Sequence, residues 1–186
     1  RDMWSLTEII AKKIFIPNYF CFGKQTVDHF KKIGATVKNF HIVGSLRQHY
    51  AEESLKSKNI DNEKKYDICL ISENLPRPDD PVRKERFESL MAIAKNVERL
   101  TLEHNLKTVL ALKKVSHDKG KDEINFYKNI FKENSPIIFT DRLEKPYSNE
   151  DAYSNYETAY KSKIVVGSRS TLLLETFVKG GRILVC

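Results

Sequence analysis

The sequence predicts an α/β protein built on a doubly wound, mostly parallel sheet. Three observations carry this expectation. From residue 66 onward, short apolar runs alternate with longer segments of helical period, in the order β-α-β-α-β-α-β-α-β. The apolar runs, such as YDICLIS and KTVLAL, are continuous, the pattern of strands covered on both faces. Turn-forming glycines and prolines stand at the joints, Pro76, Pro78 and Pro81 among them.

Each element has its own signal. Residues 13–20 (KIFIPNYF) read as a strand, and 23–32 as a helix with Val27, Phe30 and Ile33 at helical spacing. Gly34 suits the C-terminal cap of that helix. Residues 39–43 (NFHIV) read as a strand ended by Gly44 and Ser45. Residues 47–65 are polar and lysine-rich and read as a linker with one helical turn. Residues 66–72 form the next strand. A long helix over 82–104 carries Phe87, Leu90, Met91, Ala94, Val97, Leu100 and Thr101 on one stripe, with Pro81 in its first turn. Strands follow at 107–112, 136–140, 164–166 and 182–185. Helices follow at 121–133, 150–161 and 171–179, the first with Ile124, Tyr127, Ile130 and Phe131 inward.

Composition narrows the classes. With 186 residues and 40% hydrophobic content, one domain and a fraction with a real core is expected. No run reaches the ~20 apolar residues of a membrane span, and no signal peptide precedes Met3 and Trp4. Cys21, Cys69 and Cys186 lie in apolar contexts without metal-ligand spacing, so buried reduced thiols are expected. The net charge of +7 and pI near 9.2 point toward polyanionic partners. The lysines are dispersed and not interleaved with aromatics, so no specific nucleic-acid partner is expected.

A sheet of this kind is Rossmann-like, and its ligands bind outside the carboxyl ends of its strands. Four loops are therefore candidates: 73–80, 113–120, 141 onward and 167–170. The last, GSRS followed by Thr171, is the most informative. Gly167 allows a tight turn, and Ser170 can cap the helix that starts near Thr171. Amides at that helix start, with the hydroxyls of Ser168, Ser170 and Thr171, suit a phosphate. Plain N-capping explains the same residues. Glu175, about one turn on, can reach a ribose diol. Lys113 and His117 can meet a phosphate from the second loop, although a loop histidine is more often merely exposed. Glu73, directly after a strand, can act as a base or hydrogen-bond a ligand. There is no GxGxxG, P-loop or GxSxG elbow. No Asp-x-Asp occurs and no metal is expected, the adjacent Asp79 and Asp80 being weak candidates.

The stretch from Tyr153 to Leu184, with AYKSKIVVGSRSTLLLETFVKGGRIL at its centre, resembles the C-terminal half of bacterial surface-carbohydrate glycosyltransferases of GT-B fold. These include lipopolysaccharide, capsule, and sialyl- or Kdo-transferase-like proteins. The segments FCFGK (20–24) and IVGSLR (42–47) are similar to the end of the N-terminal domain and the hinge of such enzymes. The resemblance covers most of the chain. It implies a stub of the N-terminal domain at 1–46, a hinge at 47–65, and a nucleotide-sugar-binding domain at 66–186, truncated at its C-terminus. It implies that Gly167, Ser168, Arg169, Ser170 and Thr171 hold the donor phosphate, Glu175 the ribose, and that the catalytic base comes from the N-terminal domain. The implied reaction is inverting and metal-independent, without a cofactor. The donor is a CMP-sugar by guess, with UDP- or GDP-sugars as alternatives, because the His-Pro pair of several sialyltransferases is absent.

The acceptor implied is a surface glycan or glycolipid. A cytoplasmic location is expected, with peripheral contact at the anionic inner leaflet. Two other functions stay open: a non-catalytic Rossmann-like module binding a phosphorylated ligand or nucleic acid, and a GT-B-type nucleotide-sugar epimerase. The epimerase requires several carboxylates in the cleft, and Glu73 and Glu175 are the ones well placed.

Overall fold

The computed structural model describes residues 14–57, 63–73, 81–113, 117–140 and 154–186. The chain divides into two compact units, Arg1–Tyr50 and Ala51–Cys186.

In the first unit, β1 (Phe15–Cys21), α1 (Lys24–Lys32) and β2 (Thr36–Ile42) form a parallel β-α-β motif in which Phe15 pairs with Thr36 and Cys21 with Ile42. α1 buries Val27 and Phe30, and the Phe30 ring lies 4.5 Å from that of Tyr19. Gly34 adopts φ 73°, and the amides of Gly34 and Ala35 donate to the carbonyls of Lys31 and Phe30. That left-handed closure ends the helix and favours glycine. β2 starts three residues before the expected strand. Its first residues alternate exposed Thr36 and Lys38 with half-buried Val37, so no continuous apolar run marks them.

The first part of the stretch read as a linker is α2 (Leu46–Ser57), a helix of 12 residues rather than a single turn. Ser45 caps it, its hydroxyl accepting from the Gln48 amide at 3.1 Å. Ala51 is fully buried and Leu55 packs beside it. Two small contacts are too few to give a polar helix a visible apolar stripe, which is why periodicity missed it.

The second unit is a five-stranded parallel sheet in the order β5-β4-β3-β6-β7, with β3 (Tyr66–Ile71), β4 (Thr108–Ala111), β5 (Ile138–Phe139), β6 (Ser162–Gly167) and β7 (Arg182–Val185). The β3 side chains divide between two cores. Ile68 and Leu70 pack with Ala94 and Val97 of α3 (Pro81–Glu103), Tyr127 of α4 (His117–Ile130) and Phe131 just after it. Cys69 and Ile71 pack with Tyr156, Ala159, Leu172 and Leu173 of α5 (Ser154–Tyr160) and α6 (Thr171–Val178). Burial on both faces explains the continuous apolar runs and gives a Rossmann-like, doubly wound sheet.

Two expectations need correction here. α4 begins at His117, four residues before the expected start, so His117 opens a helix and is not in a loop. Cys21 and Cys69 are buried, but Cys186 is exposed. Among the described residues no helix is long and apolar enough to cross a membrane.

Candidate functional site

Strand order reverses between β3 and β6, because their following helices lie on opposite faces of the sheet. Such a reversal opens a crevice at the carboxyl ends of the two strands. Two of the expected loops, after β3 and after β6, thus start side by side. Gly167 ends β6 in tight quarters, since a Cβ there would lie 3.3 Å from Leu173 Cδ1 and 3.4 Å from Ile71 Cβ.

Glu73 bridges the reversal. It is 3% exposed, and one carboxylate oxygen accepts from the Ser168 amide at 3.1 Å, the Ser168 hydroxyl at 2.8 Å and the Arg169 amide. Consecutive amides of this kind form an anion-binding concavity, and here a carboxylate of the chain fills it. Glu73 is therefore engaged in shaping the turn. The side-chain donors of that turn lie further out. Arg169 and Thr171 are exposed, and Ser170 is half-buried.

Ser170 has extended backbone (φ −88°, ψ 133°) and its hydroxyl accepts from the Leu172 amide at 3.3 Å. This is the N-cap geometry expected for α6, and it leaves the hydroxyl proton to donate elsewhere. Glu175, half-buried one turn on, accepts from the Tyr156 hydroxyl at 2.7 Å and so is held toward α5.

The neighbouring edge of β4 carries a second buried carboxylate. Glu123 of α4 is 2% exposed and accepts from the Lys113 amide at 2.8 Å, while the Lys113 side chain is exposed. Tyr127, one turn further along α4, is 1% exposed. Burial pushes its phenol up to about 12, and the charges of Glu123 and Glu73 push the same way, against hydrogen bonds with Ser72 and the Glu73 backbone. Ser72, Glu73, Glu123 and Tyr127 thus form one buried polar cluster under the crevice. Asn155 of α5 adds to its rim, donating to the Leu112 carbonyl at 2.8 Å. Its own carbonyl oxygen is buried and finds no partner among the described residues.

Sequence reasoning placed Tyr127 inward but did not single out Glu123 or Ser72. The usable signal was spacing: Glu123, Tyr127 and Phe131 recur every four residues, which sets a carboxylate on the buried stripe. The structure brings Glu73 and residues 167–171 together at the reversal and sets Lys113 at the end of β4. His117 opens α4, and its side chain lies outside the described residues, as do residues 74–80, with Asp79 and Asp80, and 141–153. Among the described residues no group of three or more His, Cys, Asp or Glu is arranged to hold a metal ion.

The site can therefore offer hydroxyls and a guanidinium to a ligand's oxygens above a carboxylate-rich floor. Compared with protein-family models and with curated proteins, the chain matches none.

Proposed function

We propose that this chain carries the nucleotide-sugar-binding half of a glycosyltransferase of GT-B fold, transferring a sugar to a surface glycan or glycolipid. One observation carries the reading: the GSRST turn lies at the strand-order reversal of a Rossmann-like sheet, where this architecture binds nucleotides. In this reading the Ser170 and Thr171 hydroxyls and the Arg169 guanidinium meet the donor phosphates. Arg169 offsets charge growing on the leaving phosphate. Glu175 accepts from a ribose hydroxyl beside its bond to Tyr156. The reaction inverts the anomeric centre and uses no metal. Lys113 approaches from the β4 side, where α4 opens with His117, and the base that activates the acceptor comes from the N-terminal domain. The enzyme would work in the cytoplasm, at the inner leaflet where glycolipid acceptors lie.

A second reading draws on Glu73. With the Ser168 and Arg169 amides already satisfied, the turn is also suited to a purely structural role in a non-catalytic module. Calorimetric titration with CMP, UDP and GDP separates the two. The expected outcome is selective binding of one nucleotide, weakened about tenfold or more by Ser170→Ala and by Glu175→Ala, as for loss of a hydrogen bond to a charged group. No binding of any nucleotide, or binding indifferent to both substitutions, favours the structural role.

A further inference from the structure

The opposite edge of the same sheet carries a different chemistry. In a parallel sheet all strands start at one edge, and here the starts are basic. Lys64 and Lys65 precede β3, Lys107 precedes β4, Lys161 precedes β6 with Lys163 its second residue, and Arg182 opens β7. The register brings them together: Tyr66 pairs with Ser162, Ile68 with Thr108 and Ile164 with Arg182. Neighbouring strands lie ~4.8 Å apart, so these cations crowd onto four adjacent strand starts.

Carboxylates compensate only part of this charge. Lys163 pairs with Asp67 at 2.7 Å and Lys161 with Glu157 at 2.9 Å. Lys64 donates to the Tyr160 carbonyl at 2.7 Å, which leaves its charge in place. Lys65 and Lys107 both stand over the Tyr66 ring, at 5.5 and 5.7 Å from its centroid. Asp67 also stands near Lys107, whose amide donates to it at 2.8 Å, but among the described residues no carboxylate lies within ion-pair distance of Lys65, Lys107 or Arg182, and all three are exposed. Lys64, Lys65, Lys107 and Lys161 surround an open concavity of about 320 Å³, in which Glu63 is the one carboxylate.

We infer that this amino edge is a binding site for a ligand bearing clustered phosphate groups. Several ammonium groups around one open concavity suit an anion of several charges better than a single phosphate, since each adds a contact and a released counterion. The cations are lysines, with Arg182 at one flank. Lysine binds phosphate as a compact, strongly hydrated point charge. The Tyr66 ring in the patch already has two ammonium groups within 6 Å of its centroid. The site stands at the far end of the strands from the crevice and does not depend on the glycosyltransferase reading. The phosphates can belong to a soluble polyphosphate or to the headgroups of an anionic lipid.

The test uses this chain with two probes, inorganic tripolyphosphate by calorimetry and sedimentation with phosphatidylcholine vesicles with or without phosphatidylglycerol. The variant is Lys65→Ala/Lys107→Ala. The control, Lys128→Ala/Lys132→Ala, removes the same charge from the end of α4 and the residues after it. The expected result is binding to at least one probe that the first variant weakens about tenfold or more, while the control changes it less than about twofold. Tripolyphosphate binding alone identifies a soluble ligand, and vesicle binding alone identifies headgroups. The inference is overturned by no binding to either probe or by equal losses in variant and control.

Discussion

Glu73 supplies to the Ser168 and Arg169 amides what a bound anion supplies elsewhere. Removing it strands donors that have no other acceptor among the described residues. Glu73→Ala should therefore lower stability by about 2–4 kcal/mol, as expected for loss of a buried, charge-assisted network. Glu73→Gln keeps the shape and an acceptor oxygen and should cost clearly less. Urea denaturation measures both, and an unchanged midpoint for the alanine variant would show that the turn holds itself. The two ends of this arrangement were unequally legible. Ser170 announces itself locally, because a serine before a helical stretch is a capping signal. Glu73 does not, because the amides it serves are 95 and 96 residues away in sequence. A local reading could see a carboxylate after a strand but not what it faces.

At the scale of elements, the strands of the second unit were readable because burial on both faces removes polar residues from them. α2 was not, for the converse reason: a helix that buries little beyond Ala51 and Leu55 leaves almost no apolar trace. The better signal was its start. Ser45 and Gln48 have the Ser-x-x-Gln spacing of a capping box, and the Gln48 amide donates to the Ser45 hydroxyl. Ser45→Ala should cost about 1 kcal/mol and reduce helical circular dichroism near the transition before the sheet unfolds. Coincident loss of helix and sheet signals, at the midpoint of the unaltered chain, would argue that this cap contributes nothing.

At the scale of the molecule, burial holds three acidic groups among the described residues in their protonated form. Cys69, Tyr127 and Tyr160 are each pushed up to about 12, from ordinary values of 9.0 for the thiol and 10.0 for the phenols, with desolvation the leading cause. Below pH 9 folded and unfolded chains both keep these protons, and the full stability is present. Between about pH 9 and 12 the unfolded chain releases them while the folded chain does not, so stability must fall. The slope is about 1.4 kcal/mol per pH unit for each proton, with Tyr160, the least buried, contributing least. Tyr127→Phe should flatten this alkaline limb in urea titrations across that range, and an unaltered slope would mean that its phenol ionises normally in the fold. The bonds from Glu73 to the turn at 168 and 169 also set a timetable. They join segments that leave the ribosome far apart, at synthesis rates of roughly 5–20 residues per second. The central strand β3 therefore waits roughly 5–20 s for β6, with one edge unpaired and its carboxylate facing no amides. In the newborn chain the crevice is the last part of the sheet's centre to close, and until then β3 is an open edge exposed to other chains.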